Sequence, residues 1–289
     1  MPAERTLDAN GLRFHALEWA GREPAALFAH ATSFCADGWQ PVVAALQASS
    51  ATPPRCVAID QRGHGRSDAP ADPAAYQWTR LAEDLAALAA LVVGGGAPIL
   101  GVGHSSGATS LLAAAGQHPE RFAALVAVEP VLFERPDGSG ADSFAGSSSL
   151  ASSARRRRDR FASLADARAR LGVKPPFAGF DAAAFDAVLR GILAPDGDGV
   201  ALRCPGEREA WCYDGAVALD VWPLAAKIRA PLLLVLGEHS AVAPALRDRL
   251  IATLPSLQVA TIAGGTHFTA LERPRELGAV IARWVAGLA

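Results

Sequence analysis

The chain of 289 residues has no basic excess: 27 Lys and Arg stand against 29 Asp and Glu, a formal net charge of −2. Affinity for nucleic acid comes largely from neutralising phosphates, so that class of partner is excluded. Long apolar runs are missing too. The apolar stretches are short and cut by Gly, Pro or charge, and none approaches the ~20 residues of a spanning helix, so no membrane is expected as a partner. The opening MPAERTLDANGLRFHALEW carries acids and no apolar core segment, so no secretory signal is expected. Cysteine is scarce. Cys35, Cys56, Cys204 and Cys212 show no C-x-x-C spacing and are too few to staple a chain of this size, which excludes a disulfide scaffold. No metal site is expected, and the thiols are expected to be free in a reducing cytoplasm. Disorder is excluded as well, because 51% of the residues are apolar.

What is present alternates. Strand-like runs at 13–19, 25–30 and 55–60 precede a helical pattern at 79–93, where Gly94-Gly95-Gly96 should stop it. A buried strand is expected at 98–105, a small-residue helix at 106 to about 117, and a strand at 123–129 ended by Pro130. The pattern then changes. Residues 133–222 hold a Gly/Ser-rich stretch, the run Arg155 to Arg158, and helical fragments split by Pro175-Pro176 and Pro195. Alternation resumes at 231–239, with a helix near 244–253, a strand at 257–262 and a final helix from 274. This is an α/β chain: a mostly parallel sheet flanked by helices (1–132 and 223–289), with a mainly helical cap inserted over 133–222.

Gly103-His104-Ser105-Ser106-Gly107 is a G-x-S-x-G match lying between an expected strand and an expected helix. Small flanking residues permit a tight strand-to-helix turn that lifts a serine hydroxyl out of the sheet. The N–H of Ser106 then points to where an oxyanion would form. A serine needs a base. His267, in a loop after the last strand, is best placed. His15, His30, His64, His118 and His239 have structural explanations, and His104 is expected to pack or hydrogen-bond locally.

Four motifs in order make the chain resemble the α/β-hydrolase superfamily: HATSFCADGW after a strand, AIDQRGHGRSD, the GHSSG elbow and GGTHFTALERP. The resemblance implies a serine esterase or lactonase without cofactor. It also implies a second oxyanion donor in the backbone N–H of Thr32, although Ala31 stands where glycine is commoner. The family usually places its acid after the strand ending at Gly237, but positions 240 and 241 are Ser and Ala. Glu129, at the end of the strand after the nucleophile helix, opens on the same sheet edge and is the preferred acid. Haloalkane dehalogenases and zearalenone lactone hydrolases resemble the chain in this. Glu238 and a two-residue site stay open, whereas Asp248 lies too far along its helix. A serine at the elbow argues against dehalogenase and epoxide hydrolase chemistry, which in this fold use a carboxylate nucleophile.

The cap supplies Phe133, Phe161, Phe177, Phe180, Phe185, Trp211 and Tyr213, each most simply ordinary packing, and the core side adds Trp39. Trp39, Phe133 and Trp211 are the pocket candidates, for a mostly apolar small ester or lactone. The arginine run reads as a solvated surface, since adjacent helical residues point all round; its alternative is a clamp for a carboxylate or a phosphate-bearing carrier. Thioester and C–C bond hydrolysis, perhydrolysis and a ligand-binding module on the same scaffold stay as alternatives, and a homodimer is left open.

Overall fold

The computed structural model describes residues 1–93, 96–133, 145–254 and 256–288. In chain order the core begins with β1 (Ala3–Ala9), β2 (Leu12–Trp19) and β3 (Arg22–Ala29), followed by α1 (Gln40–Ser49), β4 (Pro54–Ile59) and α2 (Trp78–Val92). Next come β5 (Ile99–His104), α3 (Ser106–Gln117) and β6 (Phe122–Val128). These strands and two later ones form an eight-stranded sheet, parallel except where β2 runs against β1 and β4. Helices cover both faces. Leu85, Leu88 and Val92 of α2 recur at helical spacing and join Leu111 and Leu112 of α3 against one face. Val42 and Leu46 of α1 and Ile281 pack on the other. Central strands buried on both sides read as continuous apolar runs, and for that reason AALFA and ILGVG were legible.

Between β6 and the next strand of the large sheet lie α4 (Ala145–Arg155), β7 (Arg160–Phe161), α5 (Leu164–Gly172), α6 (Ala182–Ile192), β8 (Leu193–Asp196), β9 (Gly199–Leu202) and α7 (Gly206–Asp214). None of these strands joins the large sheet; β7, β9 and β8 form an antiparallel sheet of their own. Helices dominate this insertion, as expected, but the small sheet was missed. Much of the Gly/Ser-rich stretch, 134–144, lies outside the described residues, as do Gly94 and Gly95. Val221 and Trp222 already pack into the large sheet's core. The chain ends with α8 (Trp222–Ala225), β10 (Leu232–Gly237), α9 (Pro244–Thr253), β11 (Leu257–Ile262), α10 (Thr269–Glu272) and α11 (Pro274–Ala286).

Register decides which residues meet. Ala29 pairs with Gly103, and His104 with Val128. Residues just past β3, β5 and β6 therefore emerge side by side at one edge of the sheet, where parallel α/β folds build their sites.

Candidate active site

Ser105 sits between β5 and α3 with φ 55° and ψ −121°. A non-glycine residue in that region is strained and must be held by its surroundings. Its N–H donates to the Val128 carbonyl (3.0 Å), and its carbonyl accepts from the Thr109 N–H (3.0 Å). The flanking glycines are required by close approach. A Cβ at Gly103 would lie 2.6 Å from Ala108 Cα, and one at Gly107 would lie 2.5 Å from the carbonyl oxygens of Ala29 and His30.

His267 Nε2 lies 2.9 Å from Ser105 Oγ. Two anchors fix its loop. Glu272 accepts from the Thr266 N–H and hydroxyl, each at 2.8 Å. His104 Nε2 lies 2.7 Å from the His267 carbonyl oxygen. Burial, aided by His267 nearby, pushes the His104 pKa down to about 3, so its ring is neutral and its Nε2–H donates to that carbonyl. Of the two expectations for His104, packing fits, against the His267 and Phe268 rings (5.5 and 6.4 Å), whereas its hydrogen bond goes to a residue far away in sequence.

Glu129, fully buried and with φ 46°, faces the same ring. Its Oε1 accepts from the Gly237 N–H (2.7 Å), and its Oε2 accepts from Ser240 Oγ (2.9 Å) and the Ala241 N–H (3.3 Å). The same Oε2 lies 3.6 Å from His267 Nδ1, a buried atom with no hydrogen-bond partner among the described residues. Three donors thus aim the carboxylate at the nitrogen that needs an acceptor. Glu238 turns away, accepting from the Gly264 N–H (2.8 Å) at an exposed position, and Asp248 is paired with Arg247 on the surface.

The HATSF loop starts from a buried histidine. His30 Nε2 accepts from the Gln61 N–H (3.0 Å), which places its proton on Nδ1, donated to the Ala31 carbonyl (2.7 Å). Burial lowers its pKa and keeps it neutral. The chain then turns, with Ser33 at φ 78° and the Phe34 N–H donating to Ala31 (3.1 Å). One expectation is corrected here. The Thr32 N–H does not point freely at the site; it donates to Ser106 Oγ at 2.9 Å, and Thr32 Oγ1 lies 3.0 Å from that same oxygen. One hydroxyl of this pair must donate to the other, which leaves one hydroxyl proton uncommitted beside Ser105. The Ser106 N–H, in the first turn of α3, has no partner within its helix.

A cavity of about 280 Å³ opens over Ser105 and His267, with Thr32, Ser106, Phe34, Trp78, Val131, Phe177 and Phe268 in its wall. The three pocket candidates do not line it. Trp39 is buried in the core against Phe28 (ring centroids 5.3 Å), because its short helical turn faces the sheet. Trp211 stacks on Tyr76 (5.6 Å) and donates to Glu207. Phe133 is buried, its carbonyl accepting from Trp222 Nε1 at 2.8 Å. The apolar wall comes instead from Phe34, Phe177 and Phe268, with Phe180 stacked behind them. Sequence showed the supply of aromatics but not which faces they occupy.

Among the described residues, no three His, Cys, Asp or Glu side chains come together to hold a metal, and no helix is long and apolar enough to cross a membrane. The four cysteines are buried and unpaired with one another.

Residues 26–280 match the model of the alpha/beta hydrolase family. Over 145 residues the chain is 33% identical to an epoxide hydrolase of Caballeronia sordidicola, covering 47% of this chain and 42% of that protein. Over 109 residues it is 33% identical to the 2-(acetamidomethylene)succinate hydrolase of Mesorhizobium japonicum, covering 38% and 36%. The chain thus spans less than half the length of either curated relative. The crystal structure of an E-2-(acetamidomethylene)succinate hydrolase superposes with a TM-score of 0.84 at 22% identity, over 99% of this chain and 100% of the other, a likeness of fold. With its strand order, its elbow and its family match in agreement, the chain belongs to the alpha/beta hydrolase family.

Proposed function

We propose that this hydrolase cleaves a carboxylic ester or lactone through an acyl-enzyme on Ser105. The observation that carries the reading is the Ser105 Oγ to His267 Nε2 contact at 2.9 Å with Glu129 behind the ring. As Oγ attacks the carbonyl carbon, Nε2 takes its proton, and the charge moves onto the substrate oxygen. The Ser106 N–H and the free hydroxyl proton of the Thr32–Ser106 pair receive that oxyanion, with about 3–4 kcal/mol at stake per preorganised donor. Collapse expels the alcohol oxygen, which takes the proton from His267. Water then attacks the acyl carbon, gives its proton to His267, and releases the acid as Ser105 regains its hydrogen. Glu129 holds the Nδ1–H tautomer and balances the imidazolium formed in each half.

Residue type argues against the activity named for the epoxide hydrolase relative. Opening an epoxide with a serine oxygen would leave an ether, which this acyl chemistry gives water no means to clear. A carbonyl substrate leaves an ester, which it does. The second reading is amide cleavage, favoured by the relative named for 2-(acetamidomethylene)succinate, since the same three residues can protonate a leaving nitrogen. Thioester and C–C substrates would use them likewise. A binding module needs no base within 2.9 Å of a hydroxyl, so that rival is weaker.

The test is covalent labelling by a fluorophosphonate probe together with hydrolysis of short 4-nitrophenyl esters and lactones. Labelling that maps to Ser105, and turnover that disappears in Ser105→Ala, are expected. No labelling and no turnover in wild type would overturn the proposal.

A further inference from the structure

The site cavity continues outward. A second cavity, of about 540 Å³, shares Ser33, Leu150, Arg157, Phe177, Glu209 and Tyr213 with it. Its outer wall contains four cations, Arg157, Arg158, Arg170 and Lys174, against one carboxylate, Glu209. In a chain of net charge −2 this concentration is local. Two of the four are paired with carboxylates of the protein. Arg157 pairs with Glu209, which also accepts from Ser33 Oγ, and its NH2 group donates to the Cys204 carbonyl (3.1 Å). Arg170 Nε lies 2.6 Å from Asp166. Arg158 and Lys174, both exposed, make no ion-pair contact among the described residues, although Arg158 lies within Coulombic reach of Asp166, which Arg170 already holds. The arginine run is therefore not one solvated face: α4 stops at Arg155, and the following turn aims Arg157 and Arg158 at the cavity.

Like charges beside a concave, partly apolar wall focus a positive potential where Phe161 and Leu171 limit solvent. Neither Arg158 nor Lys174 touches a carboxylate there, so both heads are open to an anion from solution. Resting on the ester-hydrolase reading above, we propose that the substrate carries an anionic group, a carboxylate or a phosphate, which Arg158 and Lys174 bind in the outer cavity while the carbonyl reaches Ser105 in the inner one. The apolar middle of the molecule lies along Phe177 and Leu150, which line both cavities.

Two matched substrate pairs separate the sources of charge. Mono-4-nitrophenyl glutarate against 4-nitrophenyl pentanoate compares a terminal carboxylate with a methyl group on one acyl length. Butyryl-coenzyme A against the butyryl thioester of N-acetylcysteamine compares phosphates with none. At low salt, kcat/KM is expected to favour the anionic member of at least one pair about tenfold, through KM, the worth of two partly exposed ionic contacts. The Arg158→Gln/Lys174→Gln variant, changed at two exposed positions, should abolish most of that ratio, and about 0.5 M NaCl should do the same. Preference in the first pair alone assigns the carboxylate, and preference in the second alone assigns the phosphate; both support the proposal. A ratio near one in both pairs, or one that the double variant leaves intact, overturns it. If no substrate turns over and Ser105 is not labelled, the ester-hydrolase reading fails by itself. Calorimetric titration of wild type and the double variant with monomethyl glutarate and with inorganic phosphate then decides. Binding of either that weakens at least about fivefold in the variant supports the anion site, and no such loss refutes it.

Discussion

Replacing Glu129 by Gln removes one charge and keeps the shape. Its Oε2 lies 3.6 Å from His267 Nδ1, and the carboxylate is fully buried. At that separation and an effective dielectric of about 20, a unit charge on the ring is stabilised by about 4–5 kcal/mol. Losing this as imidazolium forms should lower kcat/KM for an ester about a thousandfold. The fold should tolerate the change, because the amide oxygen can still accept from the Gly237 N–H, Ser240 can turn its hydroxyl to accept from the new NH2, and the bond lost, from the Ala241 N–H, is the longest of the three at 3.3 Å. Steady-state hydrolysis, with a thermal melt as control, measures the effect. Glu238→Gln, at an exposed position, should change kcat/KM less than about twofold. The double variant Glu129→Gln/Ser240→Asp should recover about tenfold or more over the single one, since Ser240 Oγ already touches the spot that the Glu129 carboxylate occupies. A folded Glu129→Gln enzyme retaining more than about a tenth of wild-type kcat/KM would refute the assignment.

Ser106→Ala removes the acceptor that occupies the Thr32 N–H and leaves the Thr32 hydroxyl proton free, so kcat should change less than about threefold; a loss of about tenfold or more in a folded variant would show that the Ser106 hydroxyl itself meets the oxyanion. Gly107→Ala should yield insoluble or unfolded protein, seen by circular dichroism, because the new Cβ meets the Ala29 and His30 carbonyl oxygens at 2.5 Å. Stability should fall on acidification. His64 and His104 are held by burial at pKa values of about 3, below the ~6.5 of an unfolded chain, so the unfolded state binds more protons and gains about 1.4 kcal/mol per pH unit per histidine between those limits. Urea midpoints that stay level from about pH 6 to about pH 4 would contradict this.

The central strands and the elbow were legible because burial on both faces and close backbone approach leave direct marks, apolar runs and paired glycines. Edges left fainter ones. β1 is AERTLDA, almost wholly exposed, so no apolar alternation announces it. The Asn10-Gly11 turn after it, with both φ positive, was a usable hairpin signal that went unread. The cap hairpin β8–β9 turns at Gly197-Asp198, yet in the sequence the nearby Pro195 suggests only the end of a helical fragment. Ser105 and His267 stand out by residue type and loop, and the structure brings them within 2.9 Å of one another. The cavity wall does not stand out in sequence, because the side of Trp39, Phe133 or Trp211 that faces solvent, core or substrate is set by packing among elements distant in sequence. The Thr32 N–H was misread for a similar reason: its competitor is a side chain 74 residues away.

Glu129 illustrates what a parallel sheet allows. β6 and β10 are neighbours, with Val128 paired to Val235, and the Glu129 N–H donates to the Val235 carbonyl at 2.9 Å. The ends of these two strands therefore bracket one point behind the histidine ring, which a side chain can reach from either. From β10 that side chain would stand at 240, where the hydroxyl now present hydrogen-bonds to the carboxylate that reaches across. From β6 the chain must turn sharply as it leaves the sheet. Glu129 does so in the left-handed region, with Pro130 fixing the next φ. Catalysis constrains where the charge sits, not which strand carries it. On the proposed reading, Ser240 and Ala241 at the usual acid positions go with a carboxylate moved to β6, and the Gly237 and Ala241 N–H groups, both on the β10 side, donate to it.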